Sequence, residues 1–139
     1  AVEAALVRGE ELRKSGQHGE AIRVLTEALE HGTRRATLYY RLGNTYVDKG
    51  DLERAERAYE RALELDPEHV NARHNLAIVY KRQKRVDLFV KMSKEIRQRA
   101  LDQDLPSSLR RLSPRTRRLA FWTIIVVAIL ALAYFTSRG

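Results

Sequence analysis

Four histidines and a set of closely spaced carboxylates are the side chains best suited to acid–base or metal chemistry. His69 and His74 lie five residues apart, whereas two metal ligands on one helix face need a spacing of four. The sequence contains no HExxH, P-loop or GxSxG pattern, and it contains no cysteine that could form a disulfide or a thiolate metal site. We therefore predict no catalytic residue, no metal ligand and no cofactor, and we expect that the chain is not an enzyme.

The carboxylates of residues 53–64 recur every three or four positions, and arginines recur among them at the same interval. Opposite charges at this spacing are neighbours on the surface of a helix. Such exposed pairs each contribute only about 0.2–1 kcal/mol to stability. The pattern therefore predicts a solvated helix face laced with ion pairs rather than a catalytic site.

A 34-residue unit, residues 36–69, supplies the elements that must position any binding surface. It is predicted to form two helices because alanine, leucine, glutamate and arginine are frequent in it. Gly50 and Asp51 separate the helices, and the Asp51 side chain is suited to cap the second one. Pro67 closes the unit because proline cannot continue a helix. Gly43 is small at the point where we expect the two helices to cross closely.

Eight positions of this unit form a regular pattern of aromatic, small and proline residues. They are Tyr39, Leu42, Gly43, Tyr46, Ala55, Tyr59, Ala62 and Pro67. In type and spacing the pattern resembles the tetratricopeptide repeat (TPR) family. The resemblance covers roughly the first 100 residues and implies an all-α fold of about three helix-turn-helix pairs, stacked as a right-handed α-solenoid. One C-terminal transmembrane helix, predicted below from an apolar stretch, follows these pairs.

A shift of 34 residues in either direction predicts two further repeats. Residues 2–35 place Gly9 in register with Gly43. Residues 70–101 keep the apolar phase but depart from the pattern, for example at Lys84, which replaces the turn glycine. Terminal repeats are commonly atypical, so we interpret this segment as a degenerate third pair. We predict a TPR domain over residues 1–104, with repeats at about 2–35, 36–69 and 70–101, and a connector over residues 105–114.

An apolar stretch, residues 119–135, contains no charged residue. At 1.5 Å per residue a helix of this length spans about 25 Å, close to the hydrocarbon thickness of a bilayer. Two alternatives to a membrane-spanning helix are a final solenoid helix and a buried core helix. A final solenoid helix needs a polar outer stripe, which this stretch lacks. We predict a transmembrane helix over residues 115–137, as in a tail-anchored protein, with Trp122 and Tyr134 at the two membrane interfaces.

The basic residues are concentrated in the C-terminal part of the chain. Residues 1–80 hold 12 Lys/Arg and 14 Asp/Glu, whereas residues 81–139 hold 14 and 4. Arginines before the apolar stretch favour a single-pass membrane protein whose N-terminal repeats are cytoplasmic. The arginine-rich, alanine-rich composition favours a bacterial inner membrane. The residues expected at the membrane surface are Arg110, Arg111, Arg115, Arg117 and Arg118.

The predicted binding surface is the inner wall of the solenoid, formed by the first helix of each pair. The family resemblance implies that asparagines on this wall hold an extended peptide. An amide side chain is suited to that role because it offers a donor and an acceptor to one peptide unit. The predicted partner-binding residues are Tyr40, Arg41, Asn44, Asn71, His74, Asn75 and Ile78.

These features lead to one main hypothesis and two alternatives for the function. The main hypothesis is a non-enzymatic, membrane-anchored TPR scaffold for protein–protein interaction, acting as an adaptor or as an accessory or assembly subunit of a membrane protein complex. Its expected partners are a protein in, or recruited to, such a complex, and the lipid bilayer. One alternative is an organelle-surface recruitment adaptor resembling the mitochondrial fission adaptor. The other is a basic module that binds anionic lipid headgroups. No nucleic-acid partner is expected, because no aromatic interleaving accompanies the charge.

Overall fold

The computed structural model describes residues 2–105 and 113–136. These ranges contain seven α-helices and no strand, so the predicted all-α class is confirmed. The chain forms two compact units, Ala1–Arg97 and Gln98–Gly139, and each is described by itself. The helices are α1 (Val2–Lys14), α2 (His18–Leu29), α3 (Arg35–Lys49), α4 (Leu52–Leu65), α5 (Val70–Arg82), α6 (Val86–Asp104) and α7 (Pro114–Thr136).

The first unit stacks its helices in the order of the sequence. Helix α1 packs against α2, α2 against α3, α3 against α4, and α4 against α5. Helix α1 also contacts α3 directly, so the first helices of the first two pairs lie side by side. This stacking of helix pairs is the arrangement that the 34-residue spacing predicts, because each pair buries its apolar face against its neighbour.

Two apolar clusters form the core of this unit. The first joins the first two pairs through residues such as Leu6, Leu25 and Leu38. The second is centred on Tyr59 and joins the second pair to Leu76 of the third. The Asp51 side chain accepts a hydrogen bond from the Arg54 backbone N–H at 3.0 Å, so its predicted role as the cap of α4 is confirmed.

Two glycines allow the paired helices to cross closely. A Cβ atom added at Gly9 would lie 2.7 Å from Cδ2 of Leu25, and one added at Gly43 would overlap the ring of Tyr59. Leu25 and Tyr59 are both 1% exposed, so neither side chain has room to move aside. The close crossing predicted at Gly43 is therefore confirmed, and its partner is an aromatic ring.

The turns inside the three pairs share one backbone conformation. Gly16, Gly50 and Lys84 stand 34 residues apart, and their φ angles are +79°, +85° and +61°. A left-handed conformation suits glycine but is unfavourable for a side chain with a Cβ atom. The third pair therefore keeps the turn geometry of the repeat although its sequence has lost the glycine.

Helix α6 differs from the other helices of the first unit because it has no buried residue. Leu88, Phe89 and Met92 are half-buried against the second apolar cluster. On the remaining surface of the helix, Val86 and Val90 are 65% and 42% exposed. In the structure, the departure of residues 70–101 from the repeat pattern therefore corresponds to a second helix, α6, whose packing face is only half-buried.

Helix α7, in the second unit, has 23 residues and exposes large apolar side chains along its length. Within this unit Leu119, Ile124 and Leu132 are 66%, 65% and 66% exposed. No helix in the described residues combines the length and the apolar content that crossing a membrane requires. The transmembrane helix predicted over residues 115–137 therefore stays a prediction.

Some of the residues predicted to lie at a membrane are described by the structure. Arg115, Arg118 and Trp122 are exposed. Arg110 and Arg111 lie outside the described residues, as do the side chains of Arg117 and Tyr134.

Candidate protein-binding wall

The inner wall is defined here by the seven predicted partner-binding residues of α3 and α5. Four of them are half-buried: Tyr40, Arg41 and Asn44 on α3, and Asn75 on α5. The other three are exposed on α5, namely Asn71, His74 and Ile78. Solvent therefore reaches this face along both helices, and the half-buried residues form its deeper part.

Asn44 and Asn75 form a hydrogen-bonded pair that links α3 to α5. Nδ2 of Asn75 donates to Oδ1 of Asn44 at 3.0 Å, and the Tyr59 hydroxyl donates to the same oxygen at 2.7 Å. These bonds occupy both lone pairs of that oxygen and fix the orientation of the two amides. Nδ2 of Asn44 and Oδ1 of Asn75 have no partner among the described residues. The pair thus keeps one donor and one acceptor, the two groups that match one peptide unit.

The Tyr59 hydroxyl is a fixed donor beneath this pair. Burial raises the pKa of Tyr59 well above its usual value of 10.0, and the hydrogen bond with Asn75 opposes this shift. The hydroxyl therefore keeps its proton and donates to Asn44. The repeat pattern predicted Tyr59 as a packing residue only, because the pattern records the size of the ring and not the partner of its hydroxyl.

Glu10 joins the first helix pair to the second at the N-terminal end of the wall. Its carboxylate accepts from Arg13 at 2.8 Å and from Arg41 at 3.0 Å, and Arg13 also pairs with Asp48. The hydrogen bond from Arg13, followed by the charges of Arg13, Arg41 and Lys14, lowers the pKa of Glu10 below its usual 4.5. Arg41, predicted to bind a partner, is thus engaged within the fold.

Replacement of Glu10 by glutamine is expected to cost about 1.5 kcal/mol of stability at neutral pH, in the range of a hydrogen bond to a charged group. A lowered carboxyl pKa stabilises the fold above about pH 4.5, and this contribution is lost as the pH falls through the folded-state value. The difference between Glu10→Gln and the wild type should therefore shrink at acid pH. Urea unfolding followed by circular dichroism, at neutral and at acid pH, measures this difference in stability.

Glu27→Gln is the matched control for this prediction. Glu27 pairs with Arg23 at 2.8 Å, but both side chains are more than half exposed. Removal of such a surface pair should change the stability by less than about 0.5 kcal/mol at either pH. An equal loss of stability in the two variants, or a loss in Glu10→Gln that does not depend on pH, would show that Glu10 does not clamp the two pairs together.

Aromatic rings line the middle of the wall. The Tyr40 ring lies with its centroid 4.8 Å from that of His69 and 6.2 Å from that of Tyr59, and the Arg41 guanidinium lies 5.8 Å from the Tyr40 centroid. Nδ1 of His69 accepts from the Ala72 backbone N–H at 3.2 Å and so caps α5. A cluster of tilted aromatic rings therefore adjoins the asparagine pair, and His69 has a structural role that the sequence did not indicate.

Comparison with known families identifies the fold that carries this wall. A model described as tetratricopeptide repeat matches residues 12–61, and a second, described as TPR repeat, matches residues 43–84. Residues 12–84 are therefore similar to tetratricopeptide repeats, and neither match alone covers half of the chain. The TPR resemblance predicted from the residues of the central unit is confirmed to this extent, and the matched segment contains the asparagine pair and the Glu10 partners Arg13 and Arg41.

Curated and solved proteins show the same TPR likeness. ETO1-like protein 2 from Arabidopsis thaliana is 40% identical over 62 residues, which are 42% of this chain and 6% of that protein. The structure titled MamA 41-end from Desulfovibrio magneticus RS-1 matches 76% of this chain with a TM-score of 0.69 and 25% identity. The D159K mutant of MamA matches 81% with a TM-score of 0.64 and 20% identity. The chain spans about three fifths of these two solved structures, 59% and 61%.

The TPR fold indicates what class of ligand the wall is suited to bind. Arrays of this type bind other proteins on the extended concave surface made by successive repeats, and they are typically not enzymes. In this chain the half-buried part of the wall consists of an amide pair with a free donor and a free acceptor, flanked by tyrosine and arginine. Such a surface is suited to hold a polypeptide backbone.

Proposed function

We propose that this chain is a non-enzymatic TPR scaffold that binds a segment of a partner protein along its inner wall and is held at a membrane by α7. The partner is a protein recruited to the membrane or a membrane complex of which this chain is an accessory or assembly subunit. The repeats lie on the cytoplasmic side, and the membrane is the inner membrane of a bacterium. The chain performs no covalent chemistry and needs no cofactor.

The asparagine pair is the observation that carries this proposal. A peptide bound in extended form presents one N–H and one C=O per residue, and both need partners when they leave water. Nδ2 of Asn44 and Oδ1 of Asn75 offer these partners on neighbouring helices, in an orientation fixed by the Tyr59 hydroxyl. Because the amides are already ordered, binding loses little side-chain entropy at this point.

The first test replaces Asn75 by alanine in the full chain and measures how much partner protein copurifies in mild detergent. Asn75→Ala removes one acceptor from the wall but leaves the bond between Tyr59 and Asn44 in place. The fold should therefore persist by circular dichroism, while recovery of the partner, identified by mass spectrometry, should fall about tenfold, as expected for the loss of about 1.4 kcal/mol.

Asn71→Ala is the comparison variant for this test. Asn71 is an exposed asparagine on the same helix, and it makes no hydrogen bond with the residues that the structure describes. Its removal should reduce partner recovery much less than Asn75→Ala. If the wild type and Asn75→Ala recover equal amounts of partner protein, the partner does not bind through the amide pair, even if the chain remains a scaffold.

Membrane anchoring draws its support from the sequence and exposure of α7. Residues 119–135 are free of charge, and the described large apolar side chains from Leu119 to Leu132 are exposed except for Ile125, which is half-buried. The Thr123 hydroxyl donates to the Ala120 carbonyl at 2.8 Å, so the helix itself provides an acceptor for this polar group. The last two side chains of the stretch, Tyr134 and Phe135, lie outside the described residues.

A basic module for anionic lipids is the second candidate, and the open surface of α6 favours it. Exposed Val86 and Val90 lie there beside the exposed basic residues Lys91, Lys94 and Arg97. A helix face that mixes apolar and basic residues is typical of binding at a membrane surface. Salt separates the two candidates: headgroup binding by α6 should weaken steeply as ionic strength rises, whereas peptide binding through amides should change little.

A further inference from the structure

A groove lies between α2 and α4 on the side of α3 that faces away from the inner wall. Tyr39, Leu42 and Tyr46 of α3 line it, together with residues of α2 and α4. At about 100° per residue, these three positions lie on the opposite face of the helix from Arg41 and Asn44. The groove is therefore separate from the asparagine pair, and a ligand in it does not compete for the wall.

The floor of this groove is apolar and aromatic. The half-buried rings of Tyr39 and Tyr46 lie there with half-buried Leu29 and with the more deeply buried Leu42 and Ala58. Tyrosine rings that are half open to solvent offer a large contact area at a low cost in conformational entropy. The floor is thus suited to receive an apolar or aromatic side chain.

Three arginines of α4 form one rim of the groove. Arg54 lies 5.9 Å from the centroid of Tyr46 and 3.3 Å from Asp51, and Arg61 pairs with Glu64. Arg57, between them, makes no hydrogen bond or ion pair with any residue in the described ranges. An exposed guanidinium without a carboxylate partner remains available for bidentate contact with an external acid.

The charge of the groove lining contrasts with its surroundings. The lining residues include these three arginines and no carboxylate. The groove between α1 and α3 has a balanced lining, in which Glu3, Glu10 and Glu11 stand beside Lys14, Arg34 and Arg41. Residues 1–80 as a whole carry two more acidic than basic groups. A cationic, acid-free groove on an otherwise acidic repeat array is therefore a local feature of this surface.

We propose that this groove binds an acidic segment of a partner protein, with carboxylates on Arg57 and its neighbours and an aromatic or aliphatic side chain on the tyrosine floor. The site is additional to the inner wall, so the scaffold can hold two protein segments on opposite faces of α3 at once. Nucleic acid fits less well because a phosphate backbone carries a charge on every nucleotide, whereas only three arginines line the groove and two of them already pair with Asp51 and Glu64.

The test uses the full chain in detergent and a short fluorescein-labelled peptide that alternates Asp or Glu with Leu or Phe. A peptide with Asn and Gln at the acidic positions is the neutral control, and binding is followed by fluorescence anisotropy. Arg57→Gln should weaken the acidic peptide about tenfold, the effect of losing one charge-assisted contact. Thr26→Glu, which places a carboxylate in the lining, should weaken it by a similar factor, while Thr26→Gln should change it less than about twofold.

Two further variants make the result specific to the groove. Arg82→Gln removes an exposed arginine of α5 outside the groove, and it should leave the affinity unchanged. Asn75→Ala should also leave it unchanged, which separates this site from the inner wall. The proposal is overturned if the neutral peptide binds equally well, if Arg82→Gln weakens binding as much as Arg57→Gln, or if a single-stranded oligonucleotide binds more tightly than the acidic peptide.

Discussion

Gly43→Leu is expected to destabilise the repeat array by about 3 kcal/mol or more, the upper part of the range for overpacked cores. The first added atom already overlaps the ring of Tyr59, which is 1% exposed and has no space into which it can turn. Movement of the ring would also pull its hydroxyl away from Asn44. Thermal unfolding followed by circular dichroism should show a midpoint lower by roughly 12 °C or more, at about 4–8 °C per kcal/mol for a domain of this size.

Gly19→Leu is the matched control, because the same substitution is made in a helix but in open space. No atom lies within 4 Å of a Cβ atom added at Gly19. Replacement of a helical glycine by leucine improves helix propensity by about 0.5–1 kcal/mol, so this variant should be as stable as the wild type or slightly more stable. If Gly43→Leu unfolds at the wild-type temperature, then α3 and α4 do not cross at Gly43.

Two arginines in the middle of α7, Val126→Arg and Leu130→Arg, are expected to release the full chain from membranes. Each arginine at the centre of a spanning helix costs about 2.5–3.5 kcal/mol on insertion, so the pair lowers the membrane-bound fraction by several orders of magnitude. The two positions are 51% and 63% exposed, so their replacement should leave the repeats folded. Flotation of cell membranes, with alkaline extraction, measures the distribution of the chain.

Val126→Ala with Leu130→Ala serves as the control for α7, because it changes the same side chains without adding charge. This variant should remain with the membrane fraction. The anchoring proposal fails if the wild-type chain is extracted at alkaline pH like a soluble protein. It also fails if the double arginine variant floats with the membranes, since the apolar stretch would then not be the anchor.

One helix cap and one close helix crossing could be predicted from the sequence because local rules determine them. The cap at Asp51 and the close crossing at Gly43 follow from residue type and position in the repeat. The register of the repeat placed a turn at Lys84, but it did not indicate that this residue would keep a positive φ of +61° after the glycine was replaced. A 34-residue spacing was therefore sufficient to place the first unit's helices in order.

The polar contacts of the wall could not be predicted, because they depend on side chains that meet across helices. The repeat pattern placed Asn44 and Asn75 on one surface, but it did not indicate that they bind each other and Tyr59. It also gave no sign that Glu10 would hold Arg41. The sequence-based assignment of all seven wall residues to partner binding remains a prediction.

The absence of buried residues in α6 has a consequence for the order in which the array comes apart. In a linear stack each pair is stabilised by its neighbours, so the end with the weakest interface opens at the lowest free energy. Helix α5 carries Asn75, and α6 shields part of the apolar face of α5 from solvent. A segment that joins Asn44 to Asn75 would therefore bind only the closed form and would slow hydrogen exchange in α5 more than in α1. The apparent affinity of this segment is lower than its affinity for the closed form, and the reduction equals the fraction of molecules in which the last pair is open.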